Sequence, residues 1–494
     1  MKSFFISALL LSSLPLCAQS EWDVTEGLNL SVEASGTASS GDNAPLWLSS
    51  NKQGLVSPYG NSAYERVSLT RNLSADSLRN WHLGYGLDLQ LCQNAQSSLF
   101  IHQAYAELEW MKARVTLGAK EHSCDLKNNE LTSGGLSQGI NARPIPEALL
   151  NIDYFSIPYT NHWWKWKGRI GFGMTTDGAW QEDWVDDKQT MKYTSNTLYH
   201  EKALYWKLGR EEVFPLTYEI GLQMFNIFGG TAYNVQGRGT NGLTTIEQPS
   251  NLNAFWHAFM PVGSDDVTDG VNKNAAGNTL GSYNMRLQYK GSDWAIGAYF
   301  ERFFEDHSML TVQYGIYDHL IGIDAKLPQN DFVSHLLVEH ISTKDQSGPV
   351  YHDGTNNLPD AIAGRDNYYH HNIYSGWQHW GMAIGNPLLT SPVYNSDNEL
   401  TFKNNRIQAW HFGLDGDPTH EIHWRALATF TRNWGTYATP YLEVISEQHF
   451  MAEATYKPAK LAGWSSTLSL GLSNGDIVGN TFGAQFTVRK LFNL

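Results

Sequence analysis

The sequence predicts an all-β chain of about 18 antiparallel strands closed into a transmembrane β-barrel with long outer loops. Apolar and polar residues alternate with a period of two along most of the chain. Short and long gaps between these stretches alternate in turn, and the chain ends inside such a stretch. Composition agrees: of 494 residues, 17% are charged and 13% aromatic, with 44 Gly, unlike the charge-rich, aromatic-poor make-up of disordered or coiled-coil chains. Mean hydropathy is -0.38. Beyond the first residues no apolar run reaches the ~18 residues that a membrane helix requires. The 34 basic residues against 49 acidic give a formal net charge of -15, which argues against nucleic acid as a partner.

The N-terminus sets the expected compartment. Lys2 precedes an apolar stretch from Phe4 to Leu14 that is too short to span a bilayer, and Leu16-Cys17-Ala18 leads into a polar segment. This predicts a secretory signal at residues 1–18 and one barrel domain over 19–494. A lipid-modified Cys17 is the alternative, disfavoured by the bulk of Leu16 at the position before it. The mature chain then holds only Cys92 and Cys124, too few for a disulfide scaffold. Both are expected on the outer side, on strands about 10 Å apart, with a bridge as one of two outcomes.

The alternation is plain from Trp81, where Trp81, Leu83, Tyr85, Leu87, Leu89 and Leu91 share one face and His82, Gly84, Gly86, Asp88 and Gln90 the other. Tyr283, Met285, Leu287 and Tyr289, the turn Gly291-Ser292-Asp293, and Trp294, Ile296, Ala298 and Phe300 form a hairpin. Ile422 to Thr431 and Thr467 to Leu472 repeat the pattern. The polar face is poor in charge and rich in Gly, Ser, Thr and Gln, as a barrel lumen often is. Strands are expected near 28–38, 63–70, 81–91, 101–110, 113–120, 148–153, 164–174, 201–208 and 217–227. They continue near 282–289, 294–302, 313–326, 332–341, 405–414, 421–432, 448–456, 464–472 and 481–494. With both termini periplasmic, the connections at 111–112, 290–293, 327–331, 415–420 and 457–463 are short and periplasmic. Those at 121–147, 175–200, 228–281 and 342–404 are long and outside. The final strand puts Phe482, Ala484, Phe486, Val488, Phe492 and Leu494 on one face, resembling the terminal signature of bacterial outer-membrane barrels, with Leu494 in place of the usual aromatic.

The loops carry a second pattern: Pro45-Leu46-Trp47-Leu48 with Asn51 and Gly54, Gly134-Gly135-Leu136, and Asn141-Ala142-Arg143-Pro144-Ile145-Pro146. His200 with Lys202, Asn274 to Ser282 around Gly277-Asn278, and Phe304-Glu305-Asp306 with Ser308 follow. Glu339, Thr343, Gln346-Ser347-Gly348-Pro349, Asp366, Tyr368-Tyr369, Tyr374, Gly376-Trp377, Gly381, Gly385-Asn386-Pro387-Leu388 and Asn405-Arg406 complete it. In this order, and over almost the whole mature chain, they resemble the Wzi capsule-assembly family in its Bacteroidetes-type branch. The resemblance implies a non-enzymatic, lectin-like barrel of the bacterial outer membrane that binds capsular or other surface polysaccharide and helps assemble or attach it at the cell surface. No cofactor is implied. The family also has a helical element at the periplasmic end, whereas only about ten residues precede the first strand here.

Residue chemistry supplies candidates for such a site. Sugars are held by aromatic rings against pyranose faces and by amides, carboxylates or guanidinium groups on hydroxyls. The loop from Asp366 to Trp380 offers Tyr368, Tyr369, His370, His371, Tyr374, Trp377, His379 and Trp380, read either as a carbohydrate platform or as packing that folds the loop into the barrel mouth. Lys165, Lys167 and Arg169 share the lumenal face opposite Trp164, Trp166 and Ile170, read either as an attraction for an anionic polymer or as partners of Glu107 and Glu109. The expected polysaccharide-binding residues are Lys165, Lys167, Arg169, Arg143, Asp366, Tyr368, Tyr369, Trp377 and Trp380.

Enzyme-like signals are weak. Gly135-Leu136-Ser137-Gln138-Gly139 has the spacing of a nucleophile elbow without the following helix. Adjacent His370 and His371 point apart in extended chain, and Asp265, Asp266 and Asp269 lack the spacing of a calcium loop. No catalytic or metal site is expected. The protein is expected to be a monomer in outer-membrane lipid, and the alternative function is a gated porin or channel for solutes.

Overall fold

The computed structural model describes residues 23–236, 244–260, 277–305, 316–346, 351–352, 362–363 and 366–494. The expected leader at 1–18, the acidic residues Asp265, Asp266 and Asp269, and the motif residues Asn274, Asp306, Ser308 and Ser347-Gly348-Pro349 lie outside the described residues.

Eighteen strands form one antiparallel sheet that closes on itself. They are β1 (Leu28–Ser39), β2 (Ala63–Arg71), β3 (Trp81–Gln93), β4 (Leu99–Trp110), β5 (Ala113–Ala119) and β6 (Glu147–Ser156). Next come β7 (Trp164–Met174), β8 (Leu198–Leu208), β9 (Leu216–Phe228), β10 (Asn278–Lys290), β11 (Ala295–Glu305) and β12 (His319–Lys326). The last six are β13 (His335–Ser342), β14 (Ile407–Thr419), β15 (Ile422–Gly435), β16 (Pro440–Tyr456), β17 (Trp464–Asn474) and β18 (Thr481–Asn493). Each pairs with its chain neighbours, and β1 closes the ring on β18 from Asn29 opposite Asn493 to Ser39 opposite Gly483. Closure leaves no strand edge, so every strand can lie in hydrocarbon with its amides paired. Each of the 18 predicted stretches coincides with one of these strands.

Hydrophobicity is inverted, as a membrane barrel requires. Leu87, Leu89 and Leu91 are 41–57% exposed, while Asp88 and Gln90 between them are 0% exposed. Aromatic rings gather at the ends joined by short turns: Trp81 stacks on Trp110 and Tyr289 on Trp294, at 5.6 and 5.5 Å, level with Trp164 and Trp464 at the starts of their strands. Such girdles sit at membrane interfaces. Short turns on one rim and long loops on the other fix the first as periplasmic.

Strand β6 shows a broken alternation in its sequence, for a physical reason. Its register with β7 shifts between Ile152 and Phe155, so outward positions change parity there and the alternation reads as broken. The described α-helices, Leu46–Ser49, Gly178–Trp184 and Leu252–Phe259, all belong to outer connections. Among described residues the periplasmic rim carries only a 3-10 turn at Leu73–Asp76, so the family's periplasmic helical element has no counterpart there. The motif residue His200 faces outward, where its ring stacks on Phe172 at 4.2 Å and meets Phe259 of the third helix at 6.1 Å.

The lumen is not hollow. Trp47 and Leu48 from the β1–β2 loop, Leu131 and Leu136 from the β5–β6 loop, and Tyr368, Tyr369, Trp377 and Phe402 from the β13–β14 loop form one buried cluster with the lumenal Phe225, Phe303, Leu337 and Ile341. Three outer loops thus fold inward as a plug.

A closed sheet with a packed interior unfolds cooperatively and slowly. The purified protein is expected to migrate anomalously on SDS gels until boiled and to give a β-type far-UV circular dichroism spectrum. A predominantly helical spectrum would be incompatible with this fold.

Candidate functional site

The middle loop, residues 120–146, crosses the lumen with its polar groups met by side chains of the barrel wall. Glu301 on β11 accepts from the backbone N–H of Leu136 and Ser137 at 3.0 and 3.2 Å, and its other oxygen takes Lys127 at 2.7 Å. Glu339 on β13 accepts from Thr132 Oγ1 at 2.6 Å, from Ser133 N–H at 2.8 Å and from the Tyr299 hydroxyl. Glu201 on β8 accepts from Gln138 at 2.9 Å. Carbonyls are met in the same way: His411 bonds Leu131 O at 2.7 Å, Arg286 donates to Leu126 O at 3.1 Å, and Arg425 to Glu130 O at 3.0 Å. The β13–β14 loop then packs on this one. Trp377 Nε1 donates to Ser137 O at 2.8 Å, Asn141 to Ala383 O at 2.9 Å, and the Tyr369 hydroxyl to Leu136 O.

The predicted site residues divide between plug, lumen and rim. Tyr368, Tyr369 and Trp377 are 0% exposed, so they are core of the plug, and the platform expectation fails for them. Their ring faces are occupied by Phe303, Phe402, Tyr199 and Phe225. Asp366 is half-buried at the start of the described part of this loop. Arg143 is also buried. Its guanidinium lies 3.3 Å from the Phe100 ring centroid and donates to Gln90 at 2.9 Å, so it is covered from the outside. Burial pulls its pKa down to about 9. Gly54 makes room: at φ +65°, a Cβ there would sit 2.6 Å from Arg143 Cγ.

The basic stripe requires a second correction. Lys167 pairs with Asp125 of the plug at 2.7 Å, and Arg169 bridges that same Asp125 to Glu201, the latter at 2.8 Å. Neither meets Glu107 or Glu109, which are held by Lys120 at 2.7 Å and His82 at 3.2 Å. Lys165 is half-buried, opposite Lys207 near the periplasmic ends of β7 and β8. The stripe therefore lies beneath the plug and anchors it. Burial works to raise the Asp125 pKa, but Arg169 and Lys167 outweigh it and hold the carboxyl well below the usual range.

Of the nine predicted residues only Trp380 reaches an outer cluster of rings. It meets Phe100 edge-on at 4.9 Å and Trp180 at 5.9 Å; Trp180 stacks on Trp184 at 5.3 Å, and Trp184 on Tyr59 at 6.2 Å. Trp380, Trp184 and Tyr59 remain half-buried, and the adjoining Glu182, Asp183, Asp186 and Asp187 are exposed. The Trp184–Trp180 helix turn was missed in sequence. Its signal was the run Trp180-Gln181-Glu182-Asp183-Trp184, whose two tryptophans four residues apart share a helix face.

Other candidates resolve into structure. Ser137 is buried, and its hydroxyl partners are Ser282, Gln223 and Glu301, with no histidine among them. Among the described residues no group of His, Cys, Asp or Glu is placed to hold a metal ion. Cys92, half-buried at the outer end of β3, and Cys124, buried in the plug, are free thiols, so the bridged outcome does not occur. Burial pushes the Cys124 thiol up to about 11.

No protein-family model matches the sequence, and no curated protein matches it. Solved structures do. The chain is similar to Wzi of Escherichia coli, described as an outer-membrane protein involved in group 1 capsule assembly and a carbohydrate-binding β-barrel. Identity is 15%, the match covers 94% of this chain and 85% of that one, and the TM-score is 0.56. It also matches Pseudomonas aeruginosa OccK2, solved with glucuronate, at 8% identity over 95% of this chain and 96% of that one, with a TM-score of 0.48. Acinetobacter baumannii OccAB2 matches at 8% identity over 95% and 98%, again with a TM-score of 0.48. The closed, inverted 18-strand sheet and its likeness to Wzi define the class: a β-barrel protein of the bacterial outer membrane.

Asp125→Asn removes a carboxylate that serves two cations in a poorly solvated place, a change that costs about 3 kcal/mol. It is expected to lower the temperature of the gel-shift transition and to expose residues 120–146 to protease while the barrel persists; an unchanged variant would mean the pairs are incidental.

Acid should loosen the plug. His371 Nδ1 accepts from the N–H of Ile373 and Tyr374 at 3.1 and 3.3 Å, so the ring is neutral there. Burial, with Lys192 and His370 nearby, pushes its pKa down to about 3. A base whose folded pKa is depressed contributes fully above its unfolded value of about 6.5, and that contribution is lost as pH falls from there toward the folded value. Protease access to the loops should therefore rise between pH 7 and pH 5. His371→Asn should reduce that slope without abolishing it, because buried His122 and His379 are shifted the same way. A flat wild-type profile would contradict the assignment.

Proposed function

We propose that this protein is a non-enzymatic, monomeric outer-membrane barrel that holds a capsular or related surface polysaccharide at its outer mouth. The observation that carries the reading is the packed plug: fully buried rings from three loops fill the outer part of the lumen, which favours function at the faces over passage of a solute. Trp380, Trp184 and Tyr59 on the outer face supply half-exposed rings of the kind pyranose faces stack on. The likeness of this chain to Wzi, which is described as a carbohydrate-binding barrel, supports the same reading.

The exposed acidic residues beside these rings disfavour an anionic polymer, so recognition is assigned to ring faces and hydroxyls rather than to charge. Two stacking rings at roughly 0.5–1.5 kcal/mol each correspond to about tenfold in affinity. Trp184→Ala with Trp380→Ala is therefore expected to shed most cell-attached polysaccharide, with little dependence on salt, while the variant still passes the gel-shift test for folding. Full retention would remove the polysaccharide from this face. Planar-bilayer recordings at neutral pH should show no steady conductance; a steady open pore would instead make the protein a solute channel.

A further inference from the structure

We infer that the barrel has a second binding site, a lumenal cavity beneath the plug that takes a small ligand bearing a protonated amine, of the size and hydroxyl content of an amino sugar. The cavity is about 470 Å3, within the range of small-molecule sites. It is lined by Gln53 and Gln138 of the plug and, on the wall, by Arg114 and Asn151, which stand opposite each other on β5 and β6.

Charge determines its selectivity. The wall carries three basic side chains and five carboxylates. Every cation is already engaged: Arg114 and Lys120 on Glu107 at 4.0 and 2.7 Å, and Arg169 on Asp125 and Glu201. Glu121 is met by Arg66 and His102, both at 2.9 Å. Glu147 is the exception. Its carboxyl lines the cavity, its Oε2 is buried without a hydrogen-bond partner, and among the described residues it forms no ion pair, Arg169 acting on it only from a longer distance and Glu201 standing near it as a second carboxylate. The space is made by glycine: Glu147 stands in register between Gly118 and Gly173, and a Cβ on Gly171 would lie 2.3 Å from Oε2. The positions directly opposite Glu147 on the flanking strands thus carry no side chain.

A buried, unpaired carboxylate is costly, and a ligand cation offsets that cost where an anion would add to it. Asn151, Thr116 and Gln138 around the cavity supply neutral donors and acceptors for hydroxyls. The site goes beyond the outer-face reading and shares no residue with it.

Three sugars of one ring and different charge test it: D-glucosamine, D-glucose and D-glucuronate, titrated by calorimetry into the detergent-solubilised full-length protein at pH 6.5. Glucosamine should bind, glucose at least tenfold more weakly, and glucuronate not at all; Glu147→Gln should bring glucosamine down to the level of glucose. That variant keeps the size and shape of the side chain, so it should fold as wild type does by gel shift. Equal binding of all three sugars, no binding of glucosamine, or full binding in the folded variant would each overturn the assignment. Neither result bears on Trp184→Ala with Trp380→Ala, so the two sites stand or fall separately.

Discussion

A chain that folds back into a barrel lumen brings amides and carbonyls to a place that water does not fill, and the wall has to meet them. Each one left unmet costs about 1–3 kcal/mol, so the plug could not exist without the lumenal side chains that face it. Glu201, Glu301 and Glu339 take N–H and hydroxyl groups of residues 132–138, while His411, Arg286 and Arg425 take the carbonyls of residues 126–131. These six lie on six different strands. The middle loop is therefore held along the arc of wall from β8 to β15, and the β13–β14 loop packs on a surface it provides.

This requirement changes what a polar lumen means. The same inward-facing Glu, Arg and His residues that would line a channel here serve as hydrogen-bond partners for buried chain. Where the loops bring side chains, the wall is apolar too: Phe225, Phe303, Leu337 and Ile341 face inward and join Trp377 and Tyr369 in one core. The barrel is divided along its axis into a packed outer part and a polar space beneath it. The two parts differ in chemistry, an aromatic, acid-rimmed outer face against a hydrogen-bonding cavity below it.

The fold was legible in sequence because a membrane barrel writes its wall in a period of two, and lipid enforces one parity over each strand. It was obscured only where the backbone changes phase, as in β6 between Ile152 and Phe155. The site was much less legible. Alternation tells whether a residue points to lipid or lumen, and it is silent on whether a loop residue faces solvent or another loop. Tyr368, Tyr369 and Trp377 have the composition of a sugar platform and the position of a core. The family-like motifs follow the same logic: Gly134-Gly135-Leu136, Asn141, Glu339 and Asn386 are where plug meets wall or plug meets plug. Their order along the chain reflects the architecture of the plug more than the identity of its ligand.

The basic stripe shows how a one-dimensional reading of charge goes astray. Lys167 and Arg169 were correctly turned to the lumen, but their partner Asp125 lies more than forty residues away in a loop whose path only the folded chain defines. Once that carboxylate is in place, with Glu201 beside it, Lys167 and Arg169 have little charge left to offer a polymer at a distance. What attracts a ligand is the residual field after such pairing, and the residue left over is acidic. Glu147 draws no attention in sequence, being one glutamate at the start of a faint strand. Its environment, glycine opposite it on both flanking strands and no ion-pair partner among the described residues, exists only across three strands in register, an arrangement that no linear pattern records.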